Sequence, residues 1–325
     1  MTAPRVSICI PVRNNDAFVG AAIESALGQR HGNVQVLVSD NASTDSSWER
    51  IVAYAACQSY CQPAVLPMAM HWNWFRGRAD GDWVLFLCAD DVLRPDALDT
   101  CLALAASSAA PPDAVFFEYD LLYGDEVRSK VPFYAAPALI PARAQHRIFI
   151  IGNNYPLTMC LLRREALDAV GWFDESYGFT VDWDLWLKIT GWRENGFVGY
   201  LPQKLGLYRQ HAGNETALHV RNRSALDEVI RMKEHFRVRF DPANAELLDQ
   251  SNRSVGRIAL GYAKAMAEAG DAPTAAYYRE HYRDYIALAG QPLPANFGMP
   301  ASPPYPLPAG AIVVPELAGA EGVGI

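Results

Sequence analysis

Asp82-Trp83-Val84-Leu85-Phe86-Leu87-Cys88-Ala89-Asp90-Asp91 is an apolar run that stops abruptly on two adjacent carboxylates. With the turn-prone Asp80-Gly81-Asp82 before it, the run suits the fully buried central strand of a parallel sheet better than an amphipathic helix. Asp90 and Asp91 then sit at the strand's C-terminal end. Ligand crevices lie at that end of open α/β sheets, and paired acids there suit a divalent cation carrying a phosphate. The competing reading is an acidic turn into a helix begun by Arg94-Pro95-Asp96, because turns and helix N-termini favour Asp on their own account. Taken alone, the pair favours the turn.

The segments before the run repeat a βα rhythm. Val6-Ser7-Ile8-Cys9-Ile10-Pro11 is a β-branched run ending on proline. Asn14-Asn15-Asp16 then offers capping side chains to a helix with Phe18, Ala22, Ile23, Ala26 and Leu27 on one stripe, ending near Gly28. Val34 to Val38 is a second strand. Its polar exit, Ser39 to Asp45, leads to a helix with a Ser46-x-x-Glu49 capping box. Val65 to Met70 reads as a weak edge strand broken by Pro67. In His71-Trp72-Asn73-Trp74 the tryptophans read as packing and Asn73 as a polar contact. Such alternation implies a mainly parallel sheet flanked by helices, with right-handed crossovers and ligand loops after the strands.

Beyond the run, Pro95 fits the first turn of a helix, and Ala114 to Glu118 returns as a strand. Tyr123 to Ala144, loosened by Pro132, Pro137 and Pro141, predicts a loop or a short antiparallel ribbon. Arg164 to Gly171 is a short helix closed by glycine. Asp182 and Asp184 fall at the start of a helix whose Trp183, Trp186 and Leu187 repeat at helical spacing; compensation of the helix dipole alone explains acids there. Leu205 to His211 is a short strand ending on a histidine, which in such a place is usually no ligand. From Ala217 the composition turns helical, predicting helices over 217–240, 243–269 and 273–288. The tail from Gln291 holds eight prolines, which exclude a helix or an internal strand and leave it disordered or draped over the protein. The expected division is residues 1–216, a helical appendage over 217–290, and a Pro/Gly-rich tail over 291–325.

At 325 residues, half of them hydrophobic, the chain can build a large α/β domain with an appendage. A net charge of −8 with no long Lys/Arg run argues against a nucleic-acid partner bound by phosphate neutralisation, though not against a nucleotide. No stretch approaches a membrane span, and residues 1–5 lead into a strand without a signal core. A cytoplasmic protein is expected, at most peripheral to the inner face of the membrane. The six cysteines lack a C-x-x-C pair and read as reduced thiols.

Five stretches, VSICIPVRN (Val6 to Asn14), VSDNASTD (Val38 to Asp45), GDWVLFLCADD (Gly81 to Asp91), FDESYGFTVDWDLWLKI (Phe173 to Ile189) and YRQHAGNET (Tyr208 to Thr216), are similar in order and spacing to the inverting family 2 glycosyltransferases with the GT-A fold. The resemblance covers the first two thirds of the chain. It implies that Pro11, Arg13 and Asn14 border a nucleotide, that Asp40 accepts from its base ring, and that Asn73 and Arg78 line its pocket. It implies that Asp90 and Asp91 form the metal-binding acidic motif for Mn2+ or Mg2+, with Asp91 ahead as direct ligand and Cys88 where the family often has a first acid. It also implies that Asp182 is the catalytic base and that His211 can approach the metal or diphosphate, the first candidate to compensate for Cys88.

The expected activity is a non-processive, metal-assisted transfer with inversion from a nucleotide-sugar donor, a UDP-sugar, to a glycan, lipid-linked or small-molecule acceptor, in bacterial surface glycan or glycoconjugate synthesis. The absence of membrane spans and of a Q-x-x-R-W motif sets it apart from processive synthases. The C-terminal helices could pair two subunits or cover the acceptor site. A binding or scaffold protein on a degenerate transferase fold is the alternative from another class. A sugar nucleotidyltransferase is disfavoured because Pro11-Val12-Arg13-Asn14 is not a glycine-rich phosphate loop.

Overall fold

The computed structural model describes residues 3–211, 215–241, 243–288 and 304–318. The chain begins with β1 (Val6–Val12), α1 (Val19–Leu27), β2 (Val34–Asp40), α2 (Ser47–Val52), β3 (Gln58–Cys61) and α3 (Met68–Asn73). β1 and β2 pair in parallel from Val6 opposite Val34 to Val12 opposite Asp40, so their exit loops lie side by side. Two expectations fail here. The strand placed at Val65 to Met70 is instead the entry to α3, with Pro67 at its N-cap, while the edge strand β3 forms earlier. A proline without an N–H suits a helix start better than a sheet edge. The Ser46 capping box also does not form, since the Ser46 side chain makes no capping hydrogen bond.

β4 (Trp83–Phe86) is the strand of the opening run. It lies between β1, parallel to it, and a later antiparallel strand. Val84 and Phe86 enter one hydrophobic core, whereas Trp83, Leu85 and Leu87 enter the other, which is why the run shows no polar alternation. Before it, Gly81 is required by a close approach: a Cβ there would stand 2.5 Å from the backbone nitrogen of Ser7. β5 (Val92–Leu93), α4 (Ala97–Ala106), β6 (Ala114–Tyr123), β7 (Glu126–Arg128) and β8 (Ala138–Pro141) follow, β6 and β7 making the expected ribbon.

α5 (Ala142–Ile151), β9 (Cys160–Arg163), α6 (Arg164–Val170), α7 (Val181–Gly191) and β10 (Phe197–Arg209) complete the central layer. Gly171 closes α6 at φ 80, as the sequence suggests. β10 is one long strand rather than a short one. It passes Pro202 through register shifts around Lys204, which removes the need for a proline N–H in the ladder.

α8 (Glu215–Arg221), α9 (Ser224–Phe240), α10 (Ala245–Glu268) and α11 (Ala272–Leu288) form the helical part. It is no detached appendage: Leu226, Val229, Met232 and Ala259 share one core with Phe116, Trp183 and Trp186. Within the tail, residues 304–318 return to the sheet, where β11 (Ile312–Val313) pairs antiparallel with β8 as an edge strand. The rest of the tail lies outside the described residues. The path across the sheet is β11-β8-β10-β6-β9-β4-β1-β2-β3, mixed in direction. Among the described residues no helix is long and apolar enough to cross a membrane.

Candidate active site

The exits of β1, β2 and β4 open into a cleft of about 700 Å³. Pro11, Arg13 and Asn14 line it together with Asn41, Asp90, Asp182 and His211. The first two loops brace each other. Asn14 sits at φ 48, a left-handed conformation that asparagine tolerates, and its side-chain oxygen accepts from the Thr44 N–H at 2.8 Å while its own N–H donates to Ser43 Oγ. Asp40 lies just behind this surface, 1% exposed, with Oδ2 accepting from the Ser43 N–H. Asp40 Oδ1 is buried without a hydrogen-bond partner, an orphaned acceptor beside the cleft. His71 also faces the cleft and shares Ser39 Oγ with Gln62; burial lowers its pKa to about 4, so the ring is neutral.

α3 turns only part of the expected donor segment inward. Met68, His71 and Trp72 line the cleft from one helical face, whereas Asn73, the next residue, points about a quarter turn away. Asn73 instead exchanges hydrogen bonds with the backbone of Phe173, and Arg78 stacks 3.7 Å over Trp74. Neither lines the cleft, contrary to the sequence-based expectation, and Trp72, read as packing, does.

The adjacent acids divide their work. Asp91 is 1% exposed and both its oxygens are engaged, Oδ2 accepting from Thr158 Oγ1 at 2.8 Å and Oδ1 from the Arg209 N–H at 2.9 Å. Burial, then the charge of Asp90, raises its pKa well above the usual range. Asp90 faces the cleft, with Oδ2 at 2.9 Å from His211 Nε2, and Arg209 Nε donates to its carbonyl. Through these bonds Asp91 joins β4 to β10, while Asp90 is the acid of the pair that lines the cleft. Cys88, Asp90 and Asp91 present ligand atoms within 4.8 Å of one another. Burial, with both carboxylates adding to it, raises the pKa of the Cys88 thiol well above its usual value. A carboxylate and an imidazole side by side do fit a divalent cation that keeps waters and phosphate oxygens as its other ligands.

Asp182, in the first turn of α7, stands across the cleft. Oδ1 accepts from Asn153 Nδ2 at 3.2 Å and from the Trp183 N–H at 2.7 Å. Burial nevertheless raises its pKa to about 6. Asp184 is no rival, being buried and paired with Lys188 at 3.3 Å. Sequence reasoning missed what holds this wall. The Glu228 carboxylate, on α9, accepts from the N–H groups of Gly178, Phe179 and Thr180 just before α7. Lys233 Nζ and Ser254 Oγ both donate to the Ile151 carbonyl, two residues before Asn153. Asn153 carries a weak signal, in Gly152-Asn153-Asn154 between an apolar run and Pro156; Glu228 has none beyond being a helical acid.

The model of Glycosyl transferase family 2 matches residues 7–171, just over half of the chain. An uncharacterized glycosyltransferase of Rickettsia typhi is 25% identical over 196 residues, covering 58% of this chain and 59% of that protein. One of Nostoc is 26% identical over 237 residues, 69% of each. The chain thus spans well under two thirds of the Rickettsia relative. Among solved structures, S. aureus TarS 1-349 in complex with UDP-GlcNAc superposes with a TM-score of 0.58 at 14% identity, covering 86% of this chain and 92% of that one. The likeness bears out the GT-A fold, a mixed sheet flanked by helices with a helical C-terminal region.

Proposed function

The chain belongs to glycosyl transferase family 2, and we propose that it moves a sugar from a UDP-sugar to an acceptor hydroxyl, one sugar per encounter and with inversion, in building a bacterial surface glycan or glycoconjugate. The observation that carries this reading is the placement of Asp182, its pKa raised to about 6, on the same cleft as the β1 loop and the Asp90–His211 pair. The UDP-GlcNAc complex of TarS supports the choice of donor.

Each role falls to a residue of this chain. Asp40 Oδ1, the orphaned acceptor, takes a base-ring N–H, with the braced loops of Asn14 and Ser43 fixing its position. Pro11 and Arg13 lie along the donor. Asp90 and His211 hold a divalent cation, Mn2+ or Mg2+, which when bound offsets the charge growing on the departing diphosphate. Asp182 takes the acceptor proton as the hydroxyl oxygen attacks the anomeric carbon. Attack comes from the face opposite the diphosphate, so the centre inverts by the logic that separates inverting from retaining glycosidases.

UDP release from a panel of UDP-sugars, with Mn2+ or Mg2+, tests the assignment in wild type and Asp182→Ala. Cation-dependent release that falls in the variant is expected. Full activity in the variant removes Asp182 as the base, and release indifferent to the cation removes the Asp90–His211 role.

A further inference from the structure

Lys233, on α9, is 2% exposed, and its ammonium group sits where α5, α7 and α10 converge on it. Nζ donates to the carbonyl of Ile151, the last residue of α5, at 2.8 Å and to that of Ser251 on α10 at 3.5 Å. It also lies 5.3 Å from the centre of the Trp183 ring on α7. Burial alone lowers its pKa to about 7, and among the described residues no charged group adds to or opposes that shift. An amine so placed costs stability unless its contacts offset the cost. Capping offsets part of it, since the last carbonyls of a helix have no intrahelical donor and a cation suits the C-terminal end of α5. Ser254 Oγ already serves the same Ile151 carbonyl, however, so a cap does not require the charge.

What singles Lys233 out is where its contacts lead. Oδ1 of Asp182 accepts from Asn153 Nδ2 at 3.2 Å and from the Trp183 N–H at 2.7 Å. Asn153 stands two residues beyond Ile151, its own Oδ1 held by the Tyr155 N–H, and Trp183 carries the ring that faces the ammonium group. One side chain thus braces both of these donor segments, from a helix outside the 7–171 span matched by the family model.

We propose that Lys233 is a positioning residue for the transfer: by holding the Ile151 carbonyl and the Trp183 ring, it keeps both donors on the Asp182 carboxylate. The proposal rests on reading Asp182 as the base. Both bonds favour the ionised form, so loosening them moves the titration of Asp182 to higher pH. Cys88 and Tyr208, which feel its charge across the cleft, are pushed upward by burial and away from that range.

Lys233→Met, which keeps an unbranched stem and removes the charge and the donor, tests it in the full chain. Carboxyl-carbon NMR of labelled aspartate, without added cation, follows Asp182 directly, its signal identified by its loss in Asp182→Asn. The titration is expected to move upward by at least about half a pH unit, and the acid limb of kcat/KM to move with it, a cooperative melting transition serving as the control for folding. The melting temperature near neutral pH should not fall, because an apolar side chain replaces a buried ammonium group. Lys233→Gln, neutral and shorter, carries the same expected shift and serves if Lys233→Met does not fold. A titration that stays put, with or without a fall in melting temperature, marks a structural role only and overturns the proposal. A titration that moves while the kinetic limb does not upholds the hold on the carboxylate and instead sinks the reading of Asp182 as the base.

Discussion

The two walls of the cleft are built differently. On the donor wall, parallel neighbours β1 and β2 bring their exits together, and the loops lock through short polar contacts such as Asn14 with Ser43 and Thr44. On the base wall, Asp182 rides on α7 and depends on segments far away in the chain: Asn153 after α5, and Glu228 on α9, which holds the backbone leading into α7. The wall we propose for the donor is a consequence of sheet topology. The C-terminal helices pack into the same core as the wall of the proposed base, so they are part of the frame of the site and not an ornament to it.

Substitutions on each wall can break this contrast. The largest effect is expected at Asp182: Asp182→Asn should lower transfer by about 10²- to 10⁴-fold while UDP binding, measured by calorimetry, is retained. Loss of UDP binding as well would merge the two walls into one. Next, Asp90→Asn should weaken cation dependence by at least about tenfold, read from an activity titration with Mn2+. Glu228→Ala, which strips an acceptor from three backbone N–H groups, should reduce kcat on the order of tenfold with donor KM unchanged, because it lets the base drift without touching the donor wall. A shift in donor KM instead would contradict the separation. Asp91→Ala should appear chiefly in urea denaturation, costing about 1–3 kcal/mol, since it removes the buried acceptor of the Arg209 N–H and of the Thr158 hydroxyl proton.

What was legible in the sequence follows the same line. The opening run, the βα alternation and the acids at the exits of β2 and β4 are local patterns, and β1, β2 and β4 lie where those patterns place them. The different placements of Asp90 and Asp91 were not legible, because which of two neighbouring carboxylates turns inward depends on Thr158 and on β10, some 70 and 120 residues away. α3 misled for a related reason. Pro67 marks a break in either reading, and only packing decides between a strand edge and a helix start. Glu228 was invisible because its partners are backbone groups, which carry no residue code. The tail was legible only as disordered or draped over the protein, and the pairing of Ile312 and Val313 with β8 rests on contacts that composition does not encode.

The central claim, that an Asp182 carboxylate tuned by this base wall performs the transfer, is tested most directly by the pH dependence of kcat/KM in wild type and Asn153→Ala. A base works when ionised, so activity should fall as pH drops through about 6 in the wild type. Asn153 donates to the charged form, so removing it should raise the pKa further and move that acid limb to higher pH. An acid limb near that of an ordinary aspartate, or one that stays put in Asn153→Ala, would contradict the account.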